Sequence, residues 1–288
     1  MRNEDGTSYY CLRILMRLAC LLLFTWSASF AYAGLIPDIE YSHPTGESLK
    51  LDASIPDGPG PFPAAILVHG GGWVAGDKQT YIIYIFEPLS KANFAWFSIN
   101  YRLAPKHKFP AAMEDTEAAI RFVKANAKKY KVDPSRIALI GESAGGHIVS
   151  WVGVQKSPDT RVAAVVSFYG VHDVISRAVQ QGKLEDVNPF FGVDQLTADT
   201  APLLIKGSPV TFVQRGMPPF LMIHGRKDDG VPFEQSVQMC DKLKAFGNTC
   251  DLIELDAGHG MDTWEPHPEL HFYKQKMIDW LKEKLNYR

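Results

Sequence analysis

The feature that most restricts how this chain can fold is a set of short apolar runs bounded by Gly, Pro or charge: "PAAILVHG", "FAWFSINYR", "RIALIGES", "VAAVVSFYG", "PFLMIHG" and "CDLIELDAG". Runs without polar alternation fit strands buried on both faces, and such strands belong to parallel sheets covered by helices. Helical patterns fall between them. A stripe of Met113, Ile120, Phe122, Val123 and Ala127 runs from about Ala111 to Lys129 and stops at "VDPSR"; Leu270, Tyr273, Met277, Trp280, Leu281 and Leu285 line a last amphipathic helix. The alternation predicts an α/β fold with a mostly parallel central sheet flanked by helices. Ahead of it, "DIEYSH" and "LKLDASIP", joined by the turn residues "PTGES", predict a short antiparallel pair of strands. Val171 to Met217 breaks the rhythm with mixed polarity, "NPFFGV" and several prolines. An excursion that long between two core strands reads as an insertion covering a site, a lid.

Composition removes several classes of function. The 288 residues carry a formal net charge of −2, with Lys and Arg scattered along the chain, so no basic field is available for a nucleic-acid backbone. Residues 1–33 differ from the rest. Arg13 and Arg17 precede "LACLLLFTWSASFAYA", which ends in the small-x-small triplet Ala31-Tyr32-Ala33. This is the pattern of a secretory signal peptide cleaved after Ala33, from a start at Met1 or Met16, with a retained anchor as the alternative. Residues 34–288 are then expected to form one domain, secreted or periplasmic, with no membrane span of its own. Of the four cysteines, Cys240 and Cys250 stay with it. In an oxidising compartment they are a disulfide candidate, the alternative being two inert buried thiols; no ligand cluster accompanies them that would suggest zinc.

The chemistry centres on Gly141-Glu142-Ser143-Ala144-Gly145-Gly146, between the strand "RIALI" and the apolar helix "HIVSWVGV". Between a strand and a helix, the glycines permit a sharp turn that lifts the Ser143 hydroxyl out of the sheet at the positive end of the helix. A serine hydroxyl needs a base to take its proton. Among nine histidines, His69 and His224 end apolar strands, where buried donors that shape loops are found. His259, in "ELDAGHGM", follows the last predicted strand between two glycines, on a loop free to reach the carboxyl edge of the sheet. The base in turn needs a carboxylate to fix its tautomer. "GRKDDGVP" offers Asp228, which we choose, with Asp229 beside it as the alternative.

Taken together, "HGGGW", "AGDK", "INYRLAP", "FPAAMEDTEAAIRFVKANA", "GESAGG", "HGRKDDGVP" and "AGHG" resemble the hormone-sensitive-lipase-like and feruloyl/acetyl-esterase-like (BD-FAE-like) branch of the α/β-hydrolases, over about Asp38 to Leu285. The order Ser143, Asp228, His259 is the order of that fold. The resemblance implies an α/β-hydrolase fold and a serine esterase acting on acetyl, feruloyl or other short acyl esters, those on polysaccharides included, without metal or organic cofactor. It assigns the amides of Gly71, Gly72 and Ala144 to an oxyanion hole and strengthens the pairing of Cys240 with Cys250. Two departures stand out: Glu142 where many lipase-like members have Asp, and no room for an extended N-terminal helical cap, so cover must come mainly from 171–217. Trp73, Tyr169, Phe190, Phe191 and Trp264 are candidates to line an acyl or sugar-facing pocket, or else core. The rival readings are an arylformamidase, which shares the HGGGW-type loop, a serine peptidase, and a catalytically silent fold used for adhesion.

Overall fold

The computed structural model describes residues 34–179 and 182–287. The leader read on residues 1–33 lies outside them. Eight strands form one sheet: β1 (Leu35–Ser42), β2 (Leu49–Ser54), β3 (Phe62–Val68), β4 (Ala95–Ile99), β5 (Val132–Glu142), β6 (Ala164–Phe168), β7 (Phe220–Gly225) and β8 (Cys250–Leu255). Their spatial order is β1-β2-β4-β3-β5-β6-β7-β8. β1 pairs with β2 and β2 with β4 antiparallel, and every other pairing is parallel.

The helices are α1 (Phe86–Lys91), α2 (Ala111–Ala125), α3 (Ala144–Gly153), α4 (Val174–Val179), α5 (Leu184–Phe191), α6 (Ala201–Gly207), α7 (Glu234–Ala245), α8 (Met261–Trp264) and α9 (Phe272–Lys284). Alternate strand residues feed two apolar cores, as the two-residue period requires. Ile66, Val68, Leu139 and Met222 pack on one face with residues of α2, α3 and α7. Leu67, Ile140, Val166 and Ile223 pack on the other with residues of α1 and α9. Because both faces are covered, β3, β4, β6 and β7 are buried along their whole length. No helix among the described residues is long and apolar enough to cross a membrane.

Two boundaries and the burial of one strand differ from the sequence reading. α2 ends at Ala125, where Asn126 caps it, and the amide of Tyr130 turns back onto Asn126 O. "VDPSR", read as a helix stop, opens β5, because Phe62 pairs with Val132 ahead of the main ladder. β8 is half exposed rather than buried, since it is an edge strand paired only with β7. A disulfide joins Cys240 on α7 to Cys250 at the start of β8.

Candidate active site

Ser143, Asp228 and His259 sit just beyond the carboxyl ends of β5, β7 and β8. Ser143 takes the left-handed φ of 54° with ψ −116°, a conformation that costs a non-glycine residue about 1–2 kcal/mol. It is held there by backbone: Ser143 N donates to Phe168 O at 2.9 Å, and Ser143 O accepts from His147 N at 3.0 Å in the first turn of α3. The turn is too tight for side chains at its flanks. A Cβ on Gly141 would lie 2.3 Å from Gly145 O, and one on Gly145 would lie 2.1 Å from Val68 O.

His259 Nε2 lies 3.0 Å from Ser143 Oγ, and His259 Nδ1 lies 2.8 Å from Asp228 Oδ2. A carboxylate only accepts, so Nδ1 carries a proton and Nε2 is left to face the serine. Asp228 Oδ1 accepts the amides of Gly230 at 2.9 Å and Val231 at 2.7 Å. Burial pushes the Asp228 carboxyl up, but donors from His224, His259 and Val231 outweigh it and bring it down to about 2. Asp228 is therefore anionic at neutral pH. Asp229, the alternative acid, is exposed and lines a second depression, beside His259, with Lys227, Asp256 and His267.

The glycine-rich loop after β3 runs beside the serine. Gly71, Gly72 and Trp73 all have positive φ, at 94°, 60° and 64°. Among the described residues, the amides of Gly71, Gly72 and Ala144 donate to no protein acceptor. The loop is pinned from below: Gly70 N donates to the buried carboxyl of Glu142, and Val74 N and Ala75 N both donate to Gly71 O. Burial pushes Glu142 up to about 7, against the hydrogen bond from Gly70. His69, at the end of β3, stacks on Tyr101 with ring centres 4.3 Å apart, and burial brings it down to about 4.

A cavity of about 390 Å³ opens at Ser143, walled by the glycine loop, Val171, Val231 and parts of α4 and α5. Trp73 lines it and stacks face to face on Phe190, with centroids 5.1 Å apart. Phe190 and Phe191 are themselves buried behind Trp73. Tyr169 and Trp264 are fully buried and pack against the histidine loop, where Trp264 also contributes to the depression beside His259. The Tyr169 ring lies 4.6 Å from that of His259 and its hydroxyl accepts Met261 N at 2.9 Å, while Trp264 Nε1 donates to Gly258 O at 2.9 Å.

Residues 171–217 contribute α4, α5 and α6. Side chains fasten them: Trp73 Nε1 donates to His147 Nδ1 at 3.1 Å, His147 Nε2 donates to Gly207 O at 2.8 Å, and Trp151 Nε1 donates to Lys206 O at 2.9 Å. The sequence reading does not single out Arg177, Glu185 and Asp186, which line the Ser143 cavity. Arg177 is buried and donates to Gly230 O at 2.8 Å and to Asp186 at 3.0 Å, tying α4 to the acid loop and to α5. The only local signal is an arginine inside the apolar helical pattern "VISRAV". Among the described residues, no group of His, Cys, Asp and Glu is arranged to hold a metal ion.

Residues 51–243 match the BD-FAE family. The chain belongs to this family. Among curated proteins, this BD-FAE member is 34% identical to the esterase LipC of Mycobacterium tuberculosis over 70% of its own length and 54% of LipC. It spans about half the length of the curated relatives it matches. Among solved structures, it resembles a truncated carbohydrate esterase from gut microbiota, with TM-score 0.74 and 27% identity over 88% of this chain and 97% of that one. It also resembles a bifunctional GH43-CE protein of Bacteroides eggerthii, with TM-score 0.73 and 28% identity over 88% of this chain and 38% of that one. The likeness extends to the α/β-hydrolase fold as a whole.

Proposed function

We propose that this BD-FAE member is an exported serine esterase that hydrolyses carboxylic esters through an acyl-enzyme. The observation that carries the reading is the hydrogen-bonded line from Asp228 through His259 to Ser143 Oγ, lying beside three amides that have no protein acceptor among the described residues. In this mechanism Ser143 Oγ attacks the ester carbonyl as His259 Nε2 takes its proton. The buried Asp228 carboxylate stabilises the imidazolium. The amides of Gly71, Gly72 and Ala144 receive the oxyanion, at the N-terminus of α3, whose dipole favours negative charge there. His259 gives its proton to the departing alcohol, and water, activated by the same imidazole, releases the acid. Every step is served by side chains and amides of this chain, with no metal or organic cofactor required.

Acetyl, feruloyl and other short acyl esters, including those on polysaccharides, are the proposed substrates. Family membership and the carbohydrate-esterase neighbour support this choice. A cavity of about 390 Å³ has room for a ring-sized group, and Trp73 with Arg177 and Asp186 offers both an aromatic wall and polar contacts. The leader pattern and the Cys240–Cys250 disulfide both support export, since disulfides persist in oxidising compartments. On this reading the mature chain is one domain, residues 34–288.

The test is turnover of p-nitrophenyl acetate, butyrate and octanoate, methyl ferulate, acetylated xylan and N-formylkynurenine by the processed chain, beside Ser143→Ala. Ester turnover that disappears with the serine is the expected result, with a loss of about 10⁴-fold or more. A folded wild-type chain that turns over no ester and resists fluorophosphonate labelling would sink the proposal. Strong preference for the formamide would make it an arylformamidase.

A further inference from the structure

Asp228 meets a second imidazole. His224, on β7, is fully buried, with Nε2 2.8 Å from Val231 O and 3.2 Å from Asp228 Oδ2, and Nδ1 2.8 Å from Oγ of Ser236 on α7. A peptide carbonyl and a carboxylate only accept, so Nε2 carries the ring proton. On the other side Nδ1 is hydrogen-bonded to the Ser236 hydroxyl, which fixes the ring plane. Five side chains therefore form one line: Ser236, His224, Asp228, His259 and Ser143. The carboxylate sits at its centre, with a Ser–His pair on each side.

The two arms differ in what they can reach. His259 is partly open to solvent and Ser143 lines the cavity, whereas His224 and Ser236 are wholly enclosed and touch no substrate space. The inner arm can therefore act only on the acid. It does so at two points. Asp228 Oδ1 holds the N–H of Val231 and His224 holds the C=O of the same residue, so the Val231 backbone is clamped at both ends. The His224 N–H also lies beside Oδ2, the oxygen that receives His259. Other neighbours complete the enclosure: the Tyr169 and Phe233 rings pack at 6.4 and 5.6 Å from that of His224, and Arg177 holds Gly230 O.

We infer that His224 is a positioning residue for the esterase reaction proposed above, and on that reading it acts by fixing the Asp228–Val231 turn and the oxygen of Asp228 that orients His259. Ser236 supports it by holding the ring plane. A buried histidine that merely fills the core would contribute to stability alone; one that works through the acid is coupled to the acid.

The coupling is measurable with the processed chain and p-nitrophenyl acetate, using His224→Leu, His224→Gln, Ser236→Ala, Asp228→Asn and the pair His224→Leu/Asp228→Asn. Activity is normalised to folded protein by near-ultraviolet circular dichroism. His224→Leu is expected to lower kcat roughly 10- to 100-fold with KM unchanged, the size that outer-shell hydrogen-bond partners carry at metal sites. His224→Gln, which keeps an N–H donor, is expected to recover much of that loss, and Ser236→Ala to cost only a few-fold. In the Asp228→Asn background, His224→Leu is expected to add less than about 3-fold, because residues acting as a unit are not additive.

An unchanged kcat in His224→Leu, or a loss that multiplies in full on top of Asp228→Asn, would overturn the inference. Should His224→Leu fail to fold, the Gln and Ser236→Ala variants carry the same cycle against Asp228→Asn, and full additivity there overturns it equally. A wild type silent on every ester sinks the esterase reading and this inference with it, whereas an active wild type indifferent to His224 and Ser236 sinks this inference alone.

Discussion

Gly145 and Arg177 border the same serine but are held in opposite ways. Around Gly145, backbone packs on backbone: a Cβ there would lie 2.1 Å from Val68 O, and neither partner has a rotamer that relieves the contact. Around Arg177, a flexible side chain spans from α4 to Gly230 O and Asp186, and the rest of residues 171–217 is fastened by similar side-chain clasps. The contrast separates the reacting centre from its cover. The first tolerates no displacement, whereas the second can be loosened one bond at a time.

The sharpest way to break this comparison is Gly145→Ala. It is expected to cost on the order of 3 kcal/mol or to prevent folding, because backbone must move; a thermal melt close to that of the wild type would refute the tight-turn account. Gly72→Ala tests the same wall without the clash, since its Cβ would meet only Val74 Cγ2 at 4.0 Å. There the methyl group would stand in the wall of the Ser143 cavity at a φ of 60° that alanine resists, turning the amide, so the expected loss is up to about 100-fold in kcat for about 1 kcal/mol of stability, measured by steady-state kinetics beside a melt. Gly71 is a poorer probe of turnover, because a Cβ there would lie 2.2 Å from Ala75 O and would damage the fold as well.

Buried titrating groups sharpen the comparison with opposite signs. Glu142, under the glycine loop, is raised from 4.5 to about 7, so its contribution to stability is present below pH 4.5 and lost as pH rises through 7. His172, in the covering segment, is lowered by burial from 6.5 to about 3, so its contribution is present above pH 6.5 and lost as pH falls toward 3. Glu142→Gln should therefore gain about 1–2 kcal/mol relative to wild type on going from pH 5 to pH 8. His172→Leu should gain a similar amount in the reverse direction, and denaturant unfolding at the two pH values decides between these slopes and parallel ones. The smallest effect is expected for Arg177→Met: a KM a few-fold higher for methyl ferulate with kcat nearly kept, at a cost of about 1 kcal/mol. A large loss of kcat instead would move Arg177 from the cover to the reacting centre.

The sheet was legible because burial on both faces leaves an unmistakable apolar run, as in β3 and β7. Its margins were less so: β8 carries an apolar run but lies at an edge, and neighbour number is not written in a strand's own residues. The meeting of Ser143, Asp228 and His259 follows from strand order together with the glycines that flank the serine and the histidine. Asp228 and Asp229 are chemically identical neighbours, and only the turn to Val231, with its amides on Oδ1, distinguishes them. The aromatics were ambiguous for a related reason. A buried ring beside a loop and a ring lining a cavity have the same composition: Tyr169 and Trp264 pack against the His259 loop, Trp264 also bordering the depression beside it, while Trp73 lines the Ser143 cavity. Arg177 depends on where a helix from a distant segment comes to rest, which no local pattern encodes.

The ladder that fixes the three residues has a further consequence. Val165 to Phe168 pair directly with Phe220 to Ile223, so the chain leaves the sheet after β6 and re-enters it at the adjacent position, and everything between hangs from two neighbouring strands. Among the described residues, none of that intervening stretch supplies an atom to the Ser143–His259–Asp228 line. Residues 171–217 therefore form a cover whose inner face, with Val171, Val174, Val187 and Phe190, is continuous with the main core, so a change of length is absorbed at its exposed turns and not at that face.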